Sequence, residues 1–240
     1  MPLSAVLLIV VAVALFSCTE SIIKSLTQRY PVPLLLWARF ALQALIILAL
    51  FGPGMGLKLA RSPQLGLQVW RGIMLIGSSA CFFHALRRLP LADATAIIYT
   101  TPVFVIALSV VVLKERLTRP RIAFVAAGFL GMLLIARPGV SIVQGAALLA
   151  LVSAAFYAVF QILTRRLHGE DPRVTVFIPA VCGAVLTLPL LLLVDFPVAM
   201  PIVDVALLAL MGALGTTGHF IFIRAFRSAP ASALTPFTYT

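Results

Sequence analysis

Charged side chains are scarce in this chain, and acidic ones are the scarcest. Only 10% of the 240 residues are charged, and only seven are Asp or Glu. A soluble globular domain has about 25% charged residues, so the composition excludes that class. Apolar residues take their place, since 62% of the chain is hydrophobic and its mean hydropathy is +1.14. These values indicate an integral membrane protein.

Cysteine and histidine are also few, with three of each. Cys18, Cys81 and Cys182 lie far apart within apolar runs, which predicts neither a disulfide framework nor a metal site. The sequence has no HExxH motif and no carboxylate pair, which argues against a membrane-embedded enzyme. It also has no GxxxxGK[ST] motif, so ATP-driven transport is not encoded. We therefore predict a protein that is not an enzyme and uses no metal or cofactor.

Long apolar runs dominate the sequence. A helix of about 20 residues crosses the roughly 30 Å hydrocarbon core of a bilayer. Eight runs of about this length are separated by short connections that contain Pro, Gly or charge, which break helices. They lie at Ser4–Thr27, Pro33–Phe51, Leu67–Arg87, Leu91–Leu113, Arg119–Ala136, Val143–Leu167, Pro172–Val194 and Ile202–Arg227, and Ala231 opens a ninth. The predicted fold class is an all-α polytopic membrane protein.

The opening of the fourth run returns 140 positions later, which indicates an internal repeat. The matching residues are Ala85, Arg87, Pro90, Thr95, Tyr99 and Thr100 with Ala225, Arg227, Pro230, Thr235, Tyr239 and Thr240. The same register pairs Gly72 with Gly212 and Phe82 with Phe222. We predict two related halves, 1–140 and 141–240. The second half is incomplete in this register, which leaves eight helices and the start of a ninth.

The 18 Lys and Arg residues give a net charge of +11, but most of them lie in connections between runs. Connections after odd-numbered runs hold five: Lys24, Arg29, Arg87, Arg88 and Arg137. Connections after even-numbered runs hold twelve: Lys58, Arg61, Arg71, Lys114, Arg116, Arg119, Arg121, Arg165, Arg166, Arg173, Arg224 and Arg227. This bias predicts an N-terminus in the cytoplasm, and no nucleic-acid partner is expected.

Five helices per half would invert the second half relative to the first. Inverted repeats are the architecture of many secondary transporters, in which the substrate site lies between the repeats near the middle of the membrane. The pattern therefore predicts a site shared by both halves.

Several motifs resemble those of a known family. Leu89–Gly139 contains PLADAT, TTPVF, KERLT and LLIARPG, Phe16–Lys24 resembles a first-helix motif, and Ala38-Arg39-Phe40 resembles a second-helix motif. Together they resemble the EamA family of the drug/metabolite transporter superfamily. The resemblance implies a ten-helix carrier with both termini in the cytoplasm, moving small metabolites, amino acids, nucleotide-like compounds or drugs.

The chain departs from the family pattern in two ways. It lacks most of the ninth helix and all of the tenth, which puts independent transport in doubt. In addition, Glu20 stands where many relatives have an apolar or other residue.

A polar stripe marks the first helix. Ser17, Glu20, Ser21, Lys24 and Gln28 recur at three- and four-residue spacing and so share one face. Glu20 and Lys24 are spaced to form an ion pair. An isolated charge at the bilayer centre costs about 3 kcal/mol, so such charges usually face a bundle interior or an aqueous cavity. The pair is predicted either to face a substrate or gate, or to lie near the outer interface without a special role.

Two further ionisable residues lie within apolar runs. Arg39 could complete a network with Glu20, bind an anionic substrate group through its fork of donors, or simply hold the second helix against the first. His219 could carry protons, since histidine titrates near neutrality, or serve as a hydrogen-bonded packing residue. Spacing alone leaves these alternatives open.

The fourth run combines hydroxyl groups with a helix breaker at Tyr99, Thr100, Thr101 and Pro102. Irregular backbone at membrane depth is tolerated where it lies against protein or a cavity, so these residues are predicted to line a cavity, with a packing kink as the alternative. Tyr239 is their counterpart in the second half. After the run, Glu115 and Arg116 are predicted to belong to a cytoplasmic charge cluster that braces the fourth and fifth helices.

The sequence as a whole predicts a secondary transporter that moves a small metabolite or drug-like solute by alternating access. We expect it in a bacterial inner membrane, with the bilayer and a small-molecule substrate as partners, and a homodimer is left open. The alternative functions are a non-transporting fragment or assembly partner, and a membrane-embedded enzyme.

Overall fold

The computed structural model describes residues 3–114, 118–136, 144–194 and 199–239 of the chain, and it is helical through most of them. The α-helices are α1 (Leu3–Thr27), α2 (Val32–Met55), α3 (Leu65–Arg88), α4 (Leu91–Ile98), α5 (Thr101–Leu113), α6 (Arg119–Ala136), α7 (Gln144–Arg166), α8 (Pro172–Thr187), α9 (Ile202–Ser228) and α10 (Ala231–Leu234). Short 3-10 helices follow α2, α8 and α10 at Gly56–Ala60, Leu188–Leu193 and Thr235–Tyr239.

Seven helical segments in the described ranges are long and apolar enough to cross a membrane. One of them joins α4 and α5 into a single span, Leu91–Leu113. The predicted class, a polytopic helical membrane protein, is confirmed. The predicted runs also match the observed helices closely, because long apolar segments between Pro and Gly have few other ways to satisfy their backbone in lipid.

The second apolar run, Pro33–Phe51, predicted a helix that ends before Gly52 and Pro53, and this end was wrong. The helix α2 continues to Met55 with Pro53 inside its last turn. Gly56 ends it with a φ of 52°, in a region that L side chains rarely adopt. A proline near the end of a helix removes only one backbone hydrogen bond. The turn that contains it can therefore stay helical.

The largest helix interfaces join helices of the N-terminal half of the chain to helices of the C-terminal half. Within the described ranges α1 packs on α9, α3 packs on α7, and α2 packs on α8. Glycines allow close approach at two of the remaining contacts: a Cβ on Gly72 would touch Cys182, and one on Gly212 would touch Leu42. Residues from both parts of the chain therefore surround the interior.

A buried carboxylate ties the start of α9 to the connection between α1 and α2. Asp204 is 1% exposed and accepts hydrogen bonds from Arg29 Nη1 and Tyr30 Oη, both at 2.5 Å. The bond to the Asp204 carboxylate raises the pKa of Tyr30, so the phenol keeps its proton. The end of α1 and the start of α9 therefore lie on the same membrane face.

Removing this carboxylate should destabilise the fold. We expect Asp204→Ala to lower the melting temperature of the detergent-solubilised protein by roughly 5 °C, because Arg29 and Tyr30 lose their shared acceptor. Asp93→Ala is the matched control, since Asp93 is half-buried in α4 and makes no hydrogen bond in the described part of the chain. An equal decrease in melting temperature in the two variants would contradict the prediction.

Arg71 was counted among the connections, but the structure places it inside α3, where it is 1% exposed. Its guanidinium donates to Thr164 Oγ1 at 3.0 Å and to the Thr175 carbonyl, and it lies over the Phe160 ring at 5.0 Å. Among the described residues it forms no ion pair. Arg71 therefore joins α3 to α7 and α8 by hydrogen bonds.

Candidate functional site

A cavity of about 120 Å³ lies between α1, α2, α3, the break between α4 and α5, α7 and α9. We call it the central cavity. It brings together six of the residues that the sequence singled out: Glu20, Arg39, Tyr99, Thr101, Pro102 and His219. These residues come from four helices and the turn between α4 and α5, so the packing of the bundle, rather than any one motif, builds the site.

Arg39 reaches the cavity from α2 and is held by α9. Its Nη2 atom lies 2.9 Å from His219 Nε2, and its guanidinium lies 5.8 Å from the ring centres of Phe40 and Phe83. Arginine offers only donors, so His219 Nε2 must accept, and the imidazole is neutral with its proton on Nδ1. Arg39 Nε is buried without a partner in the described part of the chain. The guanidinium therefore keeps donor capacity that the protein leaves unused.

His219 is packed as well as hydrogen-bonded. Its ring lies 4.8 Å from Phe16 and 5.9 Å from Phe160, measured between centroids, and the residue is 2% exposed. The ring is thus held by a hydrogen bond and by aromatic contacts, and a proton-carrying role for His219 stays a prediction.

Glu20 lines the same cavity from α1 and interacts electrostatically with Arg39. The two side chains do not form a direct ion pair in the described structure, where the ion pairs are Arg29–Asp204 and Arg173–Asp171. Glu20 lies seven residues before the end of α1 and Arg39 seven after the start of α2, so each is roughly 10 Å inside the same face. The cavity therefore holds a carboxyl group and a guanidinium group at matching depth without an ion pair between them.

The predicted break in the fourth span is present, and it precedes Pro102. The helix α4 ends at Ile98, Tyr99 and Thr100 form a turn, and α5 begins at Thr101. Thr101 Oγ1 donates to the Ile98 carbonyl at 2.6 Å, which satisfies an acceptor freed by the break. Tyr99, Thr101 and Pro102 line the cavity.

Thr100 is not among the cavity-lining residues of the described structure. Its hydroxyl donates to the Ile97 carbonyl at 2.8 Å. A threonine hydroxyl bonded back to its own helix has little capacity left for a ligand.

The expected ion pair between Glu20 and Lys24 is not formed. Lys24 Nζ donates instead to the carbonyls of Leu86 and Leu89, at 2.6 and 2.7 Å, where α3 ends. The last carbonyls of a helix lack partners within the helix and attract cations. Lys24 therefore fastens α1 to α3 and does not line the cavity.

Three predicted residues cannot be placed. Glu115 and Arg116 lie outside the described residues, and so does the side chain of Tyr239, although its backbone ends the last 3-10 helix. The proposed charge cluster and the tyrosine counterpart therefore stay predictions.

Sequence reasoning missed the polar face that α7 turns to the cavity. Ser153, Tyr157 and Gln161 line it at four-residue spacing, and Gln161 Oε1 is buried without a partner in the described chain. The same periodicity that revealed the stripe on α1 was available here. Serines from α3 join this wall, since Ser153 Oγ lies 3.0 Å from Ser78 Oγ.

The rest of the lining is aromatic and apolar. Phe16, Phe82 and Phe222 all face the cavity. Phe16 and Phe222 lie 6.1 Å apart, and Tyr157 packs 6.2 Å from Phe222. An apolar wall with a few converging polar groups is the usual construction of a small-molecule site.

Comparison with known proteins decides the family. The model of the EamA-like transporter family matches residues 3–137 and 144–240. This chain belongs to the EamA-like transporter family. The pseudopaline exporter CntI of Pseudomonas aeruginosa is 30% identical over 93% of this chain and 78% of the exporter. Small-solute transport is therefore the function of the chain.

More distant members are also transporters. The S-adenosylmethionine uptake transporter of Rickettsia prowazekii is 23% identical over 72% of this chain and 58% of its own. One crystal structure matches this transporter with a TM-score of 0.78 at 21% identity, over the whole chain and 84% of the other. That likeness shows a shared fold.

Proposed function

We propose that this transporter moves small zwitterions, solutes with one anionic and one cationic group, by alternating access of the central cavity. The observation that carries the proposal is the placement of Glu20 and Arg39 in one cavity without a direct ion pair between them. A substrate that pairs with both residues gives each of the two groups a direct partner of opposite charge. The solute crosses chemically unchanged.

Each charged residue has a defined role in this proposal. Arg39 donates to the carboxylate of the substrate, because guanidinium stays charged and makes directed hydrogen bonds to oxygen anions. Glu20 accepts from the ammonium group or attracts another cation. The aromatic rings of Phe16, Phe82 and Phe222 contact the body of the solute and add cation–π attraction. A singly charged solute would leave one buried charge unbalanced, which disfavours its binding.

The named relatives are compatible with this substrate class. S-adenosylmethionine, the solute in the name of the Rickettsia transporter, contains a carboxylate, an ammonium and a sulfonium group. We extend to this chain only the general charge pattern of such solutes.

For the mechanism, we propose two repeats, 1–140 and 141–240, related by inversion. Equivalent contacts support them. Gln28 Nε2 donates to the Arg87 carbonyl, and 140 positions later Arg227 Nε donates to the His168 carbonyl. Gly72 also faces Cys182. The residues that correspond to them in the other half, 140 positions away, are Gly212 and Leu42, and these two face each other as well. Each of these two contacts thus has a counterpart made by exchanging the halves.

Two carbonyls that are equivalent in the 140-residue register, those of Leu86 and Phe226, lie at opposite ends of the bundle. The Leu86 carbonyl accepts from Lys24 on the face where Asp204 lies in the first turn of α9, whereas the Phe226 carbonyl, at the other end of α9, accepts from Arg165, one position after the counterpart of Lys24. The 27 residues of α9 are long enough to cross the bilayer. These positions support inversion between the halves, and exchange of their conformations would expose the cavity first to one side and then to the other.

We also propose that the chain resides in a bacterial inner membrane with its N-terminus in the cytoplasm. The excess of Lys and Arg on the face that includes Arg165 and Arg227 supports this orientation.

The test is counterflow in proteoliposomes that contain the full chain. The probes are labelled methionine and labelled alanine as zwitterions, an anion without an amino group, and a cation without a carboxylate. We expect the zwitterions to accumulate, and Glu20→Gln to lower their initial rates by about 10-fold while the rate for the anion holds or rises, because one charge of the site is removed.

Ser21→Ala serves as the matched control for Glu20→Gln. Ser21 is an exposed neighbour whose hydroxyl bonds only its own helix in the described structure, at the Ser17 carbonyl. Equal transport of the anion and the zwitterions by the unmodified chain, together with an unchanged Glu20→Gln variant, would refute the assignment.

A further inference from the structure

A second pocket, of about 450 Å³, lies where the start of α8 meets the last turns of α9. We call it the arginine pocket, and its charged lining consists of Asp171, Arg173, Arg224 and Arg227. It lies on the face opposite the Arg29–Asp204 pair, because α9 carries Asp204 in its first turn and Arg227 in its last. The sequence pattern places most of the basic residues of the chain on this face.

One of the three arginines is neutralised within the protein. Arg173 Nη2 lies 2.6 Å from Asp171 Oδ2, and Arg173 Nε donates to both carboxylate oxygens. The hydrogen bond from Arg173 lowers the pKa of Asp171, so the carboxylate stays ionised. Asp171 also accepts from the Arg173 backbone and caps α8. These two residues thus brace the pocket wall.

The other two arginines form no direct ion pair among the described residues, although Arg227 is close enough to Asp171 to attract it electrostatically. Arg227 Nε donates to the His168 carbonyl at 3.0 Å, which fixes the guanidinium at the pocket. Arg224 is exposed and lies 5.8 Å from the centre of the Phe220 ring. Two guanidinium groups three residues apart on one helix face are suited to an anion with several oxygens.

The wall below these arginines is apolar. Phe220 lines the pocket one helical turn deeper than Arg224, and it stacks on Phe51 of α2 with ring centres 6.0 Å apart. Both rings are half-buried and pack on a small cluster that includes Ile47 and Val176. A ligand anchored at the arginines therefore meets apolar surface on its bilayer side.

From this arrangement we propose that the arginine pocket binds the phosphodiester headgroup of an anionic phospholipid. The phosphate accepts hydrogen bonds from Arg224 and Arg227, and the acyl chains lie against Phe220 and Phe51. Basic pockets between helices at a membrane face recognise anionic headgroups in this way. The aromatic wall favours a lipid over a free phosphate, since a soluble anion leaves that surface uncovered.

The experiment is native mass spectrometry of the purified full chain, titrated with phosphatidylglycerol or phosphatidylcholine. We expect one phosphatidylglycerol to bind in preference to phosphatidylcholine, and the double variant Arg224→Gln/Arg227→Gln to weaken its binding roughly 30-fold. The control is Arg61→Gln/Arg119→Gln, which removes two exposed charges that the sequence pattern places on the same face but outside the pocket. The control should bind like the unmodified chain.

Two outcomes would overturn the assignment. One is equal weakening in the pocket variant and the control, which would mean that only the general charge of the face matters. The other is binding of glycerol phosphate or inorganic phosphate as tightly as phosphatidylglycerol, which would identify a site for soluble anions. A melting temperature of the pocket variant within about 2 °C of the unmodified chain in phosphatidylcholine establishes that it is folded.

Discussion

Arg39→Gln is expected to lower zwitterion counterflow by about 100-fold, because truncating one partner of a buried charged contact costs about 2–5 kcal/mol. The amide of Gln is neutral, so the site no longer attracts a carboxylate. His219 Nε2 loses its donor at 2.9 Å, and Glu20 is left as the one unbalanced charge among the described cavity residues. The measurement is the initial rate of methionine counterflow at several substrate concentrations.

Two companion variants separate binding chemistry from folding. Arg39→Lys keeps the charge but loses the planar fork of donors, so we expect partial activity between that of Arg39→Gln and that of the unmodified chain. Arg61→Gln removes an exposed arginine and should leave the rate unchanged. A folded Arg39→Gln variant that retains a third or more of the activity would rule out Arg39 as a substrate-binding residue.

Gly183→Ala is expected to destabilise the fold by about 1–3 kcal/mol, since it inserts a methyl group into a packed helix crossing. A Cβ at Gly183 of α8 would overlap the ring of Phe40, whose Cδ2 atom would be 2.7 Å away. Phe40 is 0% exposed, so its ring is enclosed by other side chains and must shift to admit the methyl group. Loss of the α2–α8 contact also displaces Arg39, so transport should fall together with the melting temperature.

The paired variant Gly183→Ala/Phe40→Leu tests this cause directly. Removing the ring makes room for the methyl group, so the double variant should recover part of the stability that Gly183→Ala loses. Gly145→Ala is the control, because a Cβ at that position of α7 meets no atom within 4 Å. A melting temperature for Gly183→Ala equal to that of Gly145→Ala would contradict the packing argument.

The spans were predictable from the sequence because their cause is local. An apolar run in lipid must satisfy its own backbone, so it forms a helix whose ends follow Pro, Gly and charge. The break at Tyr99 and Thr100 was predictable for a related reason, since Pro102 removes a hydrogen bond one turn back. The end of α2 was misjudged, because Pro53 falls where the last turn tolerates it.

The candidate site was only partly predictable. Glu20, Arg39 and His219 were identified because a charge inside an apolar run is rare and costly. Their partners were not, since Lys24 pairs with carbonyls 62 and 65 residues away instead of with Glu20. Tyr157 and Gln161 were overlooked, because neither is a charged residue within an apolar run.

By itself the sequence determined that this protein is helical, crosses the membrane several times and belongs with small-solute transporters. Those properties follow from composition, run length and short motifs. Only the tertiary structure decided that Arg39 contacts His219, 180 residues away, and that the two share a cavity with Glu20. The physical reason is that such contacts depend on how each helix is rotated against its neighbours, and side-chain packing across the whole bundle sets that rotation.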